Sequence, residues 1–284
     1  MYTLKLSVRR NSLIQLNSIN SEWMDRQMCE LFGINSREKV KCNEMLKEFF
    51  GHGVDNPHGW GLATFYGNAV SVEKEPVSSL ESTYLKNRLT EEIVKDKLIA
   101  HIRKASKGGI EYKNSHPFIL RDDADRAWTL AHNGTIFESN ELDPYFSRQK
   151  GQSDSERILY YLVDKVNAER KEIGRELTDE ERFLIVDKVI HTITPGNKVN
   201  LLIYDGDLFY VHVNHKNSLH RCQKGKTLFI STKPLKQNCW EDVPMNTLFA
   251  YRNGELVYVG KKHANEYIEN ENKTRYLFLD YANM

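Results

Sequence analysis

The feature that most limits the fold of this chain is a series of short strands and tight turns, with two capped helices set into the middle. Segments 199–204 and 208–214 flank Asp205-Gly206-Asp207, the pattern of two strands joined by a turn. Segments 247–252 and 255–259 flank Asn253-Gly254, and Asn-Gly supplies the positive-φ residues that a two-residue hairpin needs. A further strand is predicted at 227–231. Upstream, strands are predicted at 29–34, 60–66 (closed by a Gly67-Asn68 turn), 97–102 and 128–132. Helices are predicted at 38–50, 79–89, 154–170 and 179–192. The last two open with Ser153…Glu156 and Thr178…Glu181, the spacing of a capping box. This order predicts an α+β domain with mainly antiparallel sheets, not alternating βαβ units.

The length of 284 residues allows a sizeable core. A formal net charge of +1 gives no field aimed at nucleic acid or membrane. The first residues lack a secretory apolar core, since Leu4, Leu6 and Val8 alternate with polar residues. Cys29, Cys42, Cys222 and Cys239 show no CxxC or paired metal-ligand spacing. They are read as reduced thiols of a cytoplasmic protein, with no metal site.

Chemistry concentrates at a few strand ends. Cys29 directly follows Met28 in Met28-Cys29-Glu30-Leu31-Phe32-Gly33. If the chain begins at Cys29, the thiol and a free α-amine share one residue. That amine titrates near pH ~8, so it can take the thiol proton at neutral pH. Arg103 ends the strand of Ala100-His101-Ile102-Arg103. There it can grip a carboxylate with two parallel hydrogen bonds, or it is a solvated strand-end cation. Asn133-Gly134 follows Ala131-His132. A side-chain amide and a backbone N–H aimed at one point make an oxyanion hole; a simple Asn-Gly turn is the other reading. Asp154 lies in Ser153-Asp154-Ser155-Glu156. It could pair with a substrate ammonium or merely complement a helix dipole. His116 and Trp60 are candidates to line a pocket, or are packing residues.

Taken in order, these pieces resemble the class II glutamine amidotransferases, the N-terminal-nucleophile glutaminases. The resemblance is carried by Met28–Gly33, His58-Gly59-Trp60-Gly61, Ala100–Arg103, Ser115-His116-Pro117-Phe118, Leu130-Ala131-His132-Asn133-Gly134, Ser153–Glu156 and Ser231-Thr232-Lys233-Pro234-Leu235, with the later hairpin Arg252-Asn253-Gly254-Glu255-Leu256. It implies a four-layer αββα sandwich. It also implies Cys29 as nucleophile with its α-amine as base, and Asn133 and Gly134 as the oxyanion hole. Arg103 would hold a glutamine α-carboxylate with Ser106 assisting, and Asp154 the α-amine. Glutamine or a γ-glutamyl amide would be the substrate, with no cofactor and no metal. Family members often feed ammonia to a synthase. A separate ammonia-accepting partner, or simple hydrolysis, is therefore implied here.

The implied organisation is a leader at 1–28, an amidotransferase domain at 29–260 and a polar tail at 261–284. Three readings of the leader stay open: translation starting at Met28, a self-cleaved propeptide, or retention. Retention would leave Cys29 without its amine, and favours a non-catalytic glutamine-binding or scaffolding protein on the same fold. A papain-like site is disfavoured, because the local signature around such a cysteine is absent.

Overall fold

The computed structural model describes residues 29–236 and 238–270, so the expected leader lies outside the described residues. The strands form two antiparallel sheets. The first contains β1 (Glu30–Lys41), β2 (Trp60–Tyr66), β3 (Ala69–Glu75), β4 (Val94–Ile102), β9 (His220–Lys224), β10 (Thr227–Ser231) and β11 (Trp240–Asp242). Its order is β11-β9-β10-β1-β4-β2-β3. The second contains β5 (Phe118–Arg121), β6 (Ala127–Thr135), β7 (Lys198–Tyr204), β8 (Phe209–His212), β12 (Phe249–Arg252) and β13 (Glu255–Val259). Its order is β13-β12-β8-β7-β6-β5.

Side-chain alternation along the strands explains why the sheets stack. In β1, Leu31 joins the apolar layer between the sheets, whereas Phe32 and Ile34 join the layer on the other face. That outer layer is covered by helix α1 (Asn43–Gly51) through Leu46, Phe49 and Phe50, and by Leu85 of helix α2 (Thr83–Arg88). In β7, Leu202 and Tyr204 face inward while Val199, Leu201 and Ile203 face out. Helices α3 (Asp154–Ile173) and α4 (Asp179–Ile193) cover this second outer face, through residues such as Ile158, Leu162, Val186 and Ile190. Three apolar layers between four layers of secondary structure give the expected αββα sandwich. Arg182 of α4 is pinned to the β7–β8 turn by a buried ion pair with Asp205 at 2.8 Å. Among the described residues no helix is long and apolar enough to cross a membrane.

Several local expectations change. The predicted helix at 38–50 begins only at Asn43, because β1 runs on to Lys41. Beyond an irregularity after Asn35, Val40 and Lys41 pair with Lys95 and Val94 of β4, so sheet pairing overrides the local helical pattern. The predicted helix at 79–89 shortens to Thr83–Arg88, capped by Ser82 Oγ accepting from the Leu85 N–H at 2.9 Å. The Thr178–Glu181 capping box forms. The one at Ser153–Glu156 does not: Ser153 Oγ accepts from Ser155 N, and Glu156 instead accepts from Lys150 N and Gly151 N. Glu156 thus clamps the loop entering α3 rather than closing a reciprocal cap. The expectation of four reduced thiols is also corrected. Cys222 and Cys239 are disulfide-bonded, while Cys29 and Cys42 are free and buried.

Residues 261–270 lie along the sandwich. His263 N–H donates to Asn246 O, Tyr267 N–H donates to Asn214 O, and the Tyr267 ring stacks on Phe137.

The sheets approach closely at Gly33. A Cβ there would lie 2.7 Å from Phe209 Cζ and 3.0 Å from Leu202 Cδ1. Gly33→Val is therefore expected to overpack the inter-sheet layer and lower stability by about 1–3 kcal/mol. Urea unfolding checks this; an unchanged midpoint would mean that the sheets can part freely.

Candidate active site

Strand β1 begins where β4 ends. The ladder pairs Glu30 with Ile102 and Leu31 with His101, which sets Cys29 beside the segment after β4. Lys104 N–H donates to Cys29 Sγ at 3.2 Å, and the thiol donates to Lys104 O at the same distance. The Arg103 backbone is fixed from the entry to β2: its N–H donates to Gly59 O, and its carbonyl accepts from His58 N–H. His58 Nδ1 then accepts from Ala105 N–H at 2.9 Å. Burial, with Arg103 and Lys104 nearby, holds the His58 pKa down, which suits an accepting ring nitrogen.

The Arg103 side chain is buried, and its donors organise a loop. Nη1 donates to Gly109 O, and Nη2 donates to Lys107 O and Gly108 O, at 2.9–3.0 Å. Ser106, in the same loop, contacts Thr135 Oγ1 of β6 at 3.3 Å.

The second sheet faces this corner. The expected strand 128–132 extends through Asn133 and Gly134 to Thr135, pairing Asn133 with Asn200, Gly134 with Val199 and Thr135 with Lys198. Asn133-Gly134 is therefore ladder, not a turn. A Cβ on Gly134 would lie 2.0 Å from Lys198 O and 2.4 Å from His132 Nε2, so only glycine fits. Asn133 is 1% exposed. Its Nδ2 reaches Thr232 Oγ1 at 3.4 Å, and its Oδ1 has no partner among the described residues. Thr232 also clasps β1: its hydroxyl accepts from Leu31 N–H at 2.9 Å, and its own N–H donates to Leu31 O at 2.9 Å.

Asp154 stands at the start of α3. Its Oδ2 accepts from Ile136 N–H at 2.7 Å, which fixes the chain just past Gly134. Next to it, Ser155 Oγ contacts His132 Nδ1 at 2.9 Å. His132 Nε2 lies 3.0 Å from Lys198 O, and a carbonyl only accepts, so the ring carries its proton on Nε2. Electrostatically, burial pushes the Cys29 thiol pKa up. The Lys104 amide, Arg103 and Lys198 oppose that rise, and Asp154 adds to it.

Cys29, Arg103, Ser106, Asn133, Gly134 and Asp154 thus come from separate segments to one corner between the sheets. The two proposed pocket residues fare differently. Trp60 is corrected to a packing residue: it lies in the outer layer beneath α1, donates Nε1–H to Glu75, and meets Phe50 and Tyr84. Its place in β2 turns it away from the inter-sheet face that holds Leu31 and Ala63. His116 stacks on His101 with ring centroids 4.2 Å apart, and both rings are buried.

Four contributors escaped sequence reasoning. Glu30 is buried and accepts from His52 Nδ1 at 2.8 Å and from Lys233 Nζ at 2.7 Å, which ties the residue after Cys29 to the residue after Thr232. Thr232 and Lys233 were visible as a motif but not as a clasp. Lys198, at the head of β7, carried no local signal. A cleft of about 420 Å³ opens at the far end of the strands, around Tyr66, Lys97, Asp207 and Arg252. There Lys97 is paired with Asp96, and Arg252 with Asp207. Among the described residues no group of three or more His, Cys, Asp or Glu is arranged to hold a metal ion.

Cys29 thus heads a central strand of one sheet of the αββα sandwich, and Asn133-Gly134 lies in the other. A profile of the class II glutamine amidotransferases matches residues 28–225, and the chain belongs to that family. An uncharacterized protein of Methanocaldococcus jannaschii is 30% identical over 264 residues, spanning 83% of this chain and 72% of its own length. The crystal structure of a predicted glutamine amidotransferase from Pseudomonas aeruginosa matches with a TM-score of 0.54 at 20% identity, over 81% of this chain and 100% of that one. Glutamine phosphoribosylpyrophosphate amidotransferase from Bacillus subtilis matches with a TM-score of 0.62 at 16% identity, over 84% of this chain and 50% of that one. These structural likenesses establish the shared fold.

The buried histidines make stability pH-dependent. Burial, aided by Arg103, drives the His101 pKa from 6.5 to about 3 in the folded chain, and burial drives His116 well below 6.5. The unfolded chain binds these protons first. Their contribution is therefore full above about pH 6.5 and is lost as pH falls toward the folded values. Urea midpoints are expected to drop between pH 7.5 and 5, by up to about 1.4 kcal/mol per pH unit for each such histidine. A flat profile would show that the rings are hydrated.

Proposed function

We propose that this chain cleaves the side-chain amide of glutamine, or of a γ-glutamyl amide, through a thioester on Cys29. The observation that carries this reading is the convergence of two sheets on one thiol. Cys29 is set by Lys104 on its own sheet, and Asn133-Gly134 faces that corner from the other sheet, tied through Thr232 to Leu31.

In the proposed reaction, Cys29 Sγ attacks the amide carbon. Its proton passes to the α-amine of Cys29, which is available once the Met28–Cys29 bond is open. The carbonyl electrons move onto oxygen, where Asn133 Nδ2–H and the Gly134 N–H stabilise the negative charge. Collapse breaks the C–N bond, and the returned proton leaves with ammonia or an amine. Water then hydrolyses the γ-glutamyl thioester to glutamate and frees the thiol. Arg103 would hold the α-carboxylate, exchanging some loop carbonyls for it, with Ser106 beside it. Asp154, already buried next to the Ile136 amide, would take the α-ammonium. A cation and an anion placed together select an α-amino acid and leave its far end at the thiol. The ammonia would be hydrolytic product or pass to a separate synthase. The alternative, a glutamine-binding or scaffolding protein, keeps the fold without turnover.

Steady-state kinetics with glutamine and γ-glutamyl amides separate these roles. Cys29→Ala should abolish ammonia release. Asn133→Ala should lower kcat by about 10²–10³ with little change in KM. Arg103→Ala should act mainly by raising KM. If Asn133→Ala changes KM alone, its oxyanion role is wrong. If Cys29→Ala leaves ammonia release intact, the reaction does not pass through this thiol.

A further inference from the structure

We infer that Lys198 is the cation that readies Cys29 for ionisation, so that the pairing of β6 with β7 sets the nucleophile's working pH. This rests on the reading of Cys29 as the nucleophile.

The strand register places it there. Lys198 lies directly opposite Thr135 in the β6–β7 ladder, and directly opposed residues project from the same face of a sheet. Thr135 Oγ1 touches Ser106, in the loop that follows Lys104, the partner of the Cys29 thiol. Asn133, two residues before Thr135, projects from that same face toward Thr232. In β7 the alternation continues with Leu202 and Tyr204 in the layer between the sheets. Lys198 therefore projects toward the first sheet, at the end where Cys29 begins β1.

Lys198 is also unusual in being 4% exposed. Lysines are rarely buried unless paired, because an ammonium taken out of water needs an anion or acceptors. Among the described residues its Nζ makes no hydrogen bond or ion pair. The anions within its electrostatic reach are Cys29, once ionised, and Glu269 on the C-terminal segment. His132 and His215 are the other titratable groups that feel it, both held toward neutrality by burial. Around Cys29 the charged groups are Arg103, Lys198 and Asp154. Arg103 spends donors on three loop carbonyls, and Asp154 opposes thiolate formation. Lys198 is the remaining cation, and it comes from the opposite sheet.

The test follows the rate of Cys29 alkylation by iodoacetamide against pH, in the full chain, with the Cys29 peptide quantified by mass spectrometry. Lys198→Met should raise the midpoint by about one pH unit or more, and Lys198→Arg should stay near wild type. A folded Lys198→Met protein with an unmoved midpoint overturns the inference. Should Lys198→Met not fold, the reciprocal titration decides. With ¹³C-labelled lysine, the Lys198 midpoint should fall in Cys29→Ser, which lacks the thiolate; an unchanged Lys198 midpoint overturns the inference. Neither readout needs turnover. Shifted midpoints without any ammonia release would count against the proposed reaction and leave the charge coupling standing. Turnover with unmoved midpoints would do the reverse.

Discussion

Strand β1 is gripped along both edges, by β4 on one side and β10 on the other, and the site depends on that double grip. The β4 pairing sets where Cys29 meets Lys104, and the β10 pairing carries the chain to Thr232. Thr232 then bonds both polar groups of Leu31 and reaches Asn133 in the opposite sheet. Glu30 adds a buried carboxylate between His52 and Lys233. A wholly buried carboxylate is costly to leave unpartnered, so Glu30 holds the strand start beside Cys29 to both neighbouring segments. The proposed reaction needs its oxyanion donors to be equally fixed, and Asn133 and Gly134 sit within the β6–β7 ladder.

Burial has two opposed effects at this corner. It strengthens every charge interaction around the thiol, and it disfavours the thiolate itself. The chain meets the second effect with backbone and cations: the Lys104 amide, Arg103 and Lys198 all favour the ionised form. The histidines nearby are held neutral, so they bring polarity and packing without adding positive charge at neutral pH.

Much of this was legible in the chain because strand ends carry the chemistry. Short apolar runs located the central strands, and Asn253-Gly254 marked its hairpin. Each site motif alone was ambiguous; taken in order they carried the family resemblance that pointed to Cys29, Arg103, Asn133, Gly134 and Asp154, which the fold brings to one corner. Strands β3, β5, β9 and β11 were not anticipated: β3, β5 and β11 are edge strands with one unpaired side, and β9 offers only Cys222 as an apolar residue. The helix expected at 38–50 lost its first turn to a strand, since pairing with β4 outweighs local propensity. Trp60 was open to a pocket or a packing role, and the two-residue period of β2 turns it to the outer layer. The disulfide could not be read from spacing, since Cys222 and Cys239 meet only when β9 and β11 pair. Lys198 was silent for the same reason: its meaning lies in its register opposite Thr135.

The central claim is that Cys29 forms a covalent γ-glutamyl adduct as the first residue of the active protein. The most direct measurement exposes the natively expressed protein to an electrophilic glutamine analogue. Intact mass and N-terminal sequence are then read on the labelled species. The account predicts one adduct per chain, on Cys29, in a chain that begins at Cys29. Label at another residue, or at Cys29 in a chain that still begins at Met1, would contradict it.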